Sequence, residues 1–320
     1  MRLARSALLA GALLLGACGM SNAQSPDATP ATPPATDLGG LLTYRELLAR
    51  PQADHGERIA YGSGPQQFGE LWMPTGAGPH PVVIMIHGGC WLADLPGLEL
   101  QHELSRALRD EGYAVWNIEY RRIGHPGGGY PGTFQDVAAA ADFLRTIAVA
   151  RHLDLTRVVS VGHSAGGHLA VWLAARGRLP ANSPLRTADP LPIRGVVPLA
   201  GIIDLAAYRA TGPDACGGPP TIDSLVGARS RAGQDVYADT SPAALLPIGV
   251  LVEVIAGGRD PIVPPSFAEA YTQAAARAGD PVSVSVIDGA GHFELIDPRY
   301  RDAYQQVLGS VNLLAGRNSR

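Results

Sequence analysis

Residues 157–169 read RVVSVGHSAGGHL, and this stretch decides the fold. Residues 157–161 predict a buried strand, and residues 166–176 predict a helix. Between them lies Gly-His-Ser-Ala-Gly, in which the glycines let the strand and the helix approach closely around a sharp, strained turn. The pattern predicts that Ser164 is a nucleophile and that the helix N-terminus faces the atom on which negative charge develops.

Strands and helices alternate along the chain on both sides of this turn. Further strands are predicted at residues 81–86, 113–118, 194–199, 250–256 and 282–287. Further helices are predicted at residues 98–110, 133–148 and 298–314, the second opened by a capping box from Thr133 to Asp136. This alternation indicates an α/β fold, with a mostly parallel central sheet and helices on both faces. We expect this domain to cover residues 41–316, with residues 202–247 as a short lid or pocket insert.

A serine hydroxyl needs a general base and an acid that orients the base. His292 is the only histidine beyond the helix that follows Ser164, and it lies in a Gly-rich loop after the last predicted strand. Asp260 follows the strand before that one and is the preferred acid. Asp288 and Asp297 are nearer to His292 in sequence, but we expect Asp288 to stabilise a turn and Asp297 to cap the last helix.

A second Gly-rich segment, His-Gly-Gly-Cys-Trp at residues 87–91, directly follows the strand at 81–86. We call it the oxyanion loop, because glycine N–H groups at this position can bind a developing oxyanion. The expected donors are the N–H groups of Gly88, Gly89 and Ala165. His87 is expected to orient the loop, and Trp91 either stacks on an aromatic substrate or packs in the core. The side chains expected near a substrate are His87, Cys90, Trp91 and His163.

The remaining residues with possible ligand or redox chemistry are few. Cys90 and Cys216 either pair as a disulfide or remain separate buried thiols, and their spacing leaves both alternatives open. The sequence has no CxxC pair, no HExxH stretch and no Gly-rich phosphate motif after a strand. We therefore predict that the chemistry uses no metal and no cofactor.

The first residues have the pattern of a targeting signal. Residues 1–17 combine two arginines with a short apolar stretch, and LGAC at residues 15–18 resembles the bacterial lipobox, in which Cys18 carries the lipid. The alternative is an ordinary signal peptide. Residues 18–40 are rich in Pro, Ala and Thr and predict a flexible tether. We therefore expect a lipid-anchored protein of the bacterial cell envelope, on the outer membrane and facing the periplasm. A net charge of −4 gives no reason to expect a nucleic-acid partner.

Several of these motifs together resemble the α/β-hydrolase superfamily, in the branch of hormone-sensitive-lipase-like carboxylesterases and kynurenine formamidases. The resemblance covers residues 65–315 and rests on four segments, residues 87–91, 117–121, 162–169 and 260–264. Cys90 departs from the family pattern, in which an aromatic residue is usual. The predicted envelope location also departs from the formamidases, which are soluble intracellular enzymes.

The resemblance implies a serine esterase with an α/β-hydrolase fold, in which Ser164 forms an acyl-enzyme from a small carboxylic ester, His292 is the base and Asp260 orients His292. The main alternative is an arylformamidase or another acyl-amide or peptide hydrolase. A non-catalytic binding lipoprotein is a further alternative, which the presence of all three residues disfavours.

Overall fold

The computed structural model describes residues 40–51 and 55–317, which lie within the unit Leu38–Arg320. The predicted signal peptide, the lipidated Cys18 and the tether up to residue 39 lie outside the described residues.

The sheet has eight strands in the order β1-β2-β4-β3-β5-β6-β7-β8. The strands are β1 Glu57–Ala60, β2 Phe68–Trp72, β3 His80–Ile86, β4 Ala114–Ile118, β5 Leu153–His163, β6 Gly195–Leu199, β7 Leu251–Gly257 and β8 Val282–Ile287. Strands β1 and β2 are antiparallel to their neighbours, and the other neighbouring strands pair in parallel. The prediction of a mostly parallel sheet is therefore confirmed.

Nine helices flank this sheet within residues 40–51 and 55–317. They are α1 Tyr44–Leu48, α2 His102–Asp110, α3 Gly132–Asp142, α4 Leu144–Ile147, α5 Ala165–Ala174, α6 Leu205–Thr211, α7 Gly218–Leu225, α8 Pro265–Ala278 and α9 Arg301–Leu314. In the part of the chain that the structure describes, no helix has the length and apolar character needed to cross a bilayer.

The core explains why the central strands read as continuous apolar runs. Every residue of β3, β4 and β6 is buried, which requires helices on both faces of the sheet. On α3 and α5, the rings of Phe134 and Trp172 are 5.0 Å apart, while Tyr304 of α9 contacts the Ala107 carbonyl of α2. Helix α3 therefore packs on α5, and helix α2 on α9.

Two predicted helix starts are wrong, because the polar side chains involved have other partners. The Thr133 hydroxyl donates to the Arg121 carbonyl at 2.5 Å, and Asp136 forms an ion pair with Arg121 at 2.7 Å, so neither caps α3. Asp297 forms an ion pair with Arg50 at 2.7 Å, and α9 begins four residues later, with no side-chain cap. The predicted helix at 133–148 is also divided into α3 and α4.

The predicted insert at residues 202–247 contains α6 and α7 and joins β6 to β7. Its last part is fixed to α5 by two hydrogen bonds. The His168 Nε2–H donates to the Thr240 carbonyl at 2.7 Å, and the Trp172 indole N–H donates to the Asp239 carbonyl at 2.9 Å. The insert is therefore attached to the helix that begins directly after Ser164.

Candidate active site

Ser164 lies at the turn between β5 and α5 in a strained backbone conformation. Its φ is 56° and its ψ is −120°, a region that non-glycine residues rarely occupy. Backbone hydrogen bonds hold it there. Its N–H donates to the Leu199 carbonyl at 2.8 Å, and its carbonyl accepts from the N–H of Gly167 at 2.9 Å. The turn therefore places the Ser164 side chain at the carboxyl edge of the parallel strands.

The glycines around Ser164 are required by close backbone contacts. A Cβ atom on Gly166 would overlap the carbonyl oxygen of Ile86, and one on Gly162 would overlap the carbonyl oxygen of Gly166. Strand β5 and helix α5 can therefore approach β3 only if these positions lack a side chain. This is the physical basis of the Gly-His-Ser-Ala-Gly pattern.

His292 and Asp260 lie on the loops that follow the neighbouring strands β8 and β7. The His292 Nδ1 atom is 2.6 Å from the Asp260 Oδ2 atom, and the Asp260 side chain is fully buried. The other carboxylate oxygen accepts from the N–H groups of Ile262 at 2.7 Å and Val263 at 2.9 Å. The carboxylate is thus fixed on both sides and can orient the imidazole.

The two other candidate acids are used elsewhere. Asp288 lies in the turn after β8, where its backbone carbonyl contacts the Tyr300 hydroxyl at 3.5 Å. Asp297 pairs with Arg50 and also accepts from the Arg299 N–H at 3.0 Å. The structure therefore brings Asp260 to His292, as preferred from the sequence.

His163 contacts the loop that carries His292. The two imidazole rings are 4.4 Å apart, and the His163 Nε2–H donates to the His292 carbonyl at 3.0 Å. Burial, and then the neighbouring His292, hold the pKa of His163 well below its usual range. His163 is therefore neutral and buried, and it positions His292 rather than lining a substrate pocket as we expected.

The oxyanion loop lies directly against Ser164. A Cβ atom on Gly88 would be 3.1 Å from the Ser164 Cβ and 3.0 Å from the His163 carbonyl oxygen. Gly89 has a φ of 94°, which favours glycine. Among the residues that the structure describes, no protein acceptor is found for the N–H groups of Gly88, Gly89 and Ala165. Unpaired donors next to a serine are what an oxyanion site requires.

A family model described as BD-FAE matches residues 70–274, well over half of the chain. The chain belongs to the BD-FAE family. This is an esterase family of the α/β-hydrolase fold. A probable carboxylesterase 5 of Arabidopsis thaliana is 27% identical over 105 residues, covering 30% of this chain and 32% of that protein. A putative esterase/lipase of Haemophilus influenzae is 35% identical over 95 residues, covering 30% of this chain and 29% of that protein.

The match to these curated relatives therefore spans about a third of their length. A solved structure, esterase B from Lactobacillus rhamnosis, superposes with a TM-score of 0.71 at 19% identity, covering 85% of this chain and 90% of the other. At this identity the superposition shows the shared fold alone.

In this BD-FAE chain, His87 holds the oxyanion loop from within the core. Its Nδ1 lies 2.8 Å from the Gly88 carbonyl oxygen, and its Nε2 lies 3.0 Å from Glu119 Oε1. The Tyr120 ring stacks on the imidazole at 4.4 Å, and its hydroxyl donates to the His87 carbonyl. His87 is fully buried, so it orients the loop as expected and does not line a pocket.

Glu119 provides the carboxylate that contacts His87. It lies 3.3 Å from the Arg122 guanidinium and also accepts from the Tyr120 N–H. Burial on its own raises the pKa of Glu119, but the contacts with His87, Arg122 and Tyr120 outweigh it and leave the pKa below the ordinary 4.5. The carboxylate is therefore ionised at neutral pH.

The last two residues of the oxyanion loop are held by more distant parts of the BD-FAE domain. A disulfide joins Cys90 to Cys216 of the insert, with an S–S distance of 2.03 Å, so the two are not separate thiols. The fully buried Trp91 donates its indole N–H to His168 Nδ1 at 3.2 Å. Trp91 therefore packs in the core, and the expectation that it stacks on a substrate does not agree with its burial. Cys90 is likewise occupied by the disulfide.

Glu294 contacts the loop that carries His292, but it was not among the site residues predicted from the sequence. One oxygen of its buried carboxylate accepts from the Gly291 N–H at 3.1 Å, and the other accepts from the Leu42 N–H at 2.6 Å. It therefore fastens the His292 loop to the residues just before α1. The signal in the sequence was an acidic residue in the apolar segment after His292.

Proposed function

We propose that this chain is a serine hydrolase that cleaves small carboxylic esters through Ser164, His292 and Asp260. The observation that carries the proposal is the convergence of three features at one sheet edge. These are a strained serine at a helix N-terminus, an imidazole bound to a buried carboxylate at 2.6 Å, and N–H groups beside the serine that have no acceptor among the described residues. The esterase relatives support the same reaction class.

Because Nδ1 of His292 is bound to Asp260, its Nε2 is the atom that accepts the Ser164 proton in the proposed reaction. The Ser164 Oγ attacks the acyl carbon, and the carbonyl oxygen becomes an oxyanion that accepts from the N–H groups at Gly88, Gly89 and Ala165. His292 then gives its proton to the leaving alcohol as the ester C–O bond breaks. Water attacks the acyl-enzyme by the reverse sequence and releases the acid.

The enclosure of the site favours small substrates. Only 2% of Ser164 and 3% of His292 is exposed. The oxyanion loop beside Ser164 is also fastened to the insert by the disulfide. We therefore propose short-chain acyl esters rather than long-chain lipids as substrates.

The test of this proposal is the Ser164→Ala variant on p-nitrophenyl acetate. We expect kcat to fall on the order of a million-fold, because removing a triad nucleophile has that effect in other serine hydrolases. The matched control is Ser230→Ala, an exposed serine in the insert, which should keep full activity. A fluorophosphonate probe should label the wild type and the control but not Ser164→Ala. Retained turnover or labelling in Ser164→Ala would show that another residue is the nucleophile.

We also propose that the protein is anchored by a lipid on Cys18 and faces the periplasm from the outer membrane. The targeting pattern of residues 1–18 supports this, and so does the Cys90–Cys216 disulfide, because such bonds persist in oxidising compartments. The Cys18→Ser variant should move from the detergent phase to the aqueous phase in phase partitioning. The same partitioning for both proteins would contradict the anchor.

A further inference from the structure

Three side chains outside the proposed catalytic residues meet near the antiparallel end of the sheet. His55 lies just before β1, Glu70 lies in β2, and His102 is the first residue of α2. One ligand atom from each of them lies within 4.8 Å of the other two. Two imidazoles and one carboxylate from three different segments therefore converge at one point.

In the described part of the chain, both ring nitrogens of His102 and one carboxylate oxygen of Glu70 are buried without hydrogen-bond partners. Only 2% of His102 is exposed, and neither of its ring nitrogens has a partner within residues 40–51 and 55–317. The Oε2 atom of the buried Glu70 is also unpartnered, although it lies 2.9 Å from the His102 Nε2 atom. The two atoms are close enough for an ion pair but lack the alignment of a hydrogen bond. Buried polar atoms of this kind are costly unless a ligand or water satisfies them.

The backbone at Gly56 brings the neighbouring His55 close to Glu70 and His102. A Cβ atom on Gly56 would lie 2.7 Å from the Trp72 ring and 3.0 Å from the Glu70 Cβ, so the chain passes close to β2 only with glycine there. The His55 ring consequently lies 5.0 Å from the His102 ring, at an interplanar angle of 74°. His55 is exposed, which leaves a path for an ion to enter and lets this ligand adjust.

We propose that His55, Glu70 and His102 bind one Zn²⁺ ion. Two histidines and a glutamate are a donor set that zinc accepts, with a water molecule in the fourth tetrahedral position. Bonds of about 2.0–2.2 Å place neighbouring ligand atoms roughly 3.4 Å apart, which is inside the 4.8 Å limit within which the ligand atoms of this cluster lie. A metal bond uses the lone pairs of the His102 nitrogen and the Glu70 oxygen, and so explains why neither is directed into a hydrogen bond.

The proposed ion connects three elements at one edge of the sheet. His55 lies just before β1, Glu70 lies in β2, and His102 begins α2, which packs on β2 and β4. The ion would therefore stabilise the fold and has no part in the proposed ester hydrolysis.

The test uses the full chain, expressed without a histidine tag and stripped with EDTA. We expect calorimetric titration with ZnCl₂ to show one ion per chain. At a free concentration about a hundredfold above Kd, Tm should rise by about 5–10 °C. Co²⁺ in place of Zn²⁺ should give the visible absorption of a tetrahedral site. Hydrolysis of p-nitrophenyl acetate should be unchanged by EDTA, so this test and that of the proposed function can fail separately.

His55→Gln is the decisive variant, because His55 is exposed and its loss leaves the core intact. Its Zn²⁺ affinity should fall at least about a hundredfold, since even outer residues of metal sites change affinity by 10–100-fold. The matched control is His152→Asn, which removes another exposed histidine and tolerates the positive φ of 50° at that position. No binding by the wild type, or equal binding by wild type and His55→Gln, would overturn the proposal and leave water as the partner of these atoms.

Discussion

The turn around Ser164 and the oxyanion loop form two sides of the same site, but different contacts hold them. In the turn, the strained Ser164 is held by backbone hydrogen bonds and by glycines that lie within four residues of it. In the loop, Cys90 and Trp91 also have positive φ, at 50° and 58°, and both are fixed by side-chain partners from distant segments.

The turn and the oxyanion loop should therefore respond differently to substitution. Backbone contacts at van der Waals distance cannot adapt to an added side chain, so a side chain added at a glycine of the turn should destabilise the fold severely. The loop is held by a disulfide, an ion pair and a hydrogen bond, which can be removed one at a time. Changes in the loop should therefore be graded in both stability and activity.

The largest effect is expected for Gly166→Ala. The added Cβ would overlap the Ile86 carbonyl oxygen, so β3 and α5 must separate, and we expect a loss of more than about 4 kcal/mol in unfolding free energy. The control is Gly309→Ala in α9, where nothing lies within 4 Å of the new Cβ. That variant should gain about 0.5–1 kcal/mol, because alanine suits a helix better. Urea unfolding measures both, and a stable, active Gly166→Ala would show that the turn adapts.

The next largest effect is expected when the disulfide is removed by Cys90→Ala together with Cys216→Ala. The bond closes a sequence separation of 126 residues, and its loss should cost about 2–5 kcal/mol. We expect kcat to fall as the oxyanion loop loosens, while the fluorophosphonate probe still labels Ser164.

Reduction of the wild type provides the matched control. A reducing agent should lower the Tm of the wild type to that of the double alanine variant and leave the Tm of the variant unchanged. A reducing agent that does not change the wild-type Tm would mean that the bond contributes nothing to the fold.

The same difference explains which parts of the site could be predicted from the sequence. The turn could be predicted because its strand, glycines and helix are contiguous. The apolar run of β3 is equally local, since a strand buried on both faces needs no alternation. The sequence favours Asp260 as the partner of His292 but leaves other acids open, because the pairing depends on β7 and β8 being neighbours in the sheet.

Other features could not be predicted, because they depend on partners far away in the sequence. The predicted capping box at Thr133 is wrong because Arg121, in the loop after β4, binds both of its polar side chains. The Arg121 carbonyl accepts from the Thr133 hydroxyl, and the Arg121 guanidinium pairs with Asp136. Strand β1 was missed because its residues are mostly exposed and show no alternation. Glu119 contacts His87 and Glu294 contacts Leu42, and both partners lie far away in the sequence.

A smaller effect is expected for Glu119→Gln, which removes the charge beneath the oxyanion loop. Arg122 and His87 would lose their anionic partner, and we expect a loss of about 3 kcal/mol at pH 7. The folded-state pKa of Glu119 lies below the ordinary 4.5, so its stabilisation is complete above about that pH and disappears as pH falls through the lowered value. The stability gap between wild type and variant should therefore be constant from pH 7 to 5 and narrow below 4.5.

The control for this variant is Asp223→Asn, because Asp223 also has a lowered pKa from an arginine partner but lies at the surface. It should cost no more than about 0.5 kcal/mol. Urea unfolding in steps of pH measures both variants. A gap for Glu119→Gln that widens as the pH falls would contradict the proposed ionised state.

The smallest effect is expected for Trp91→Phe, which keeps most of the buried ring but removes the N–H that His168 accepts. His168 can accept because burial lowers its pKa to about 4, so the imidazole is neutral at pH 7. The variant should lose about 1–2 kcal/mol through the lost hydrogen bond and the smaller ring. Trp116→Phe is the matched control, because it loses a donation to the Ala140 carbonyl far from the oxyanion loop.

The two tryptophan variants should have similar urea midpoints, but kcat on p-nitrophenyl acetate should fall only for Trp91→Phe. The reason is that the Trp91 backbone, at a φ of 58°, belongs to the segment that carries the proposed oxyanion donors, and its indole N–H makes one of the contacts that fix that segment. Equal kcat values for both variants would mean that Gly88 and Gly89 are positioned without Trp91. The loop would then be held, like the turn around Ser164, by backbone contacts alone.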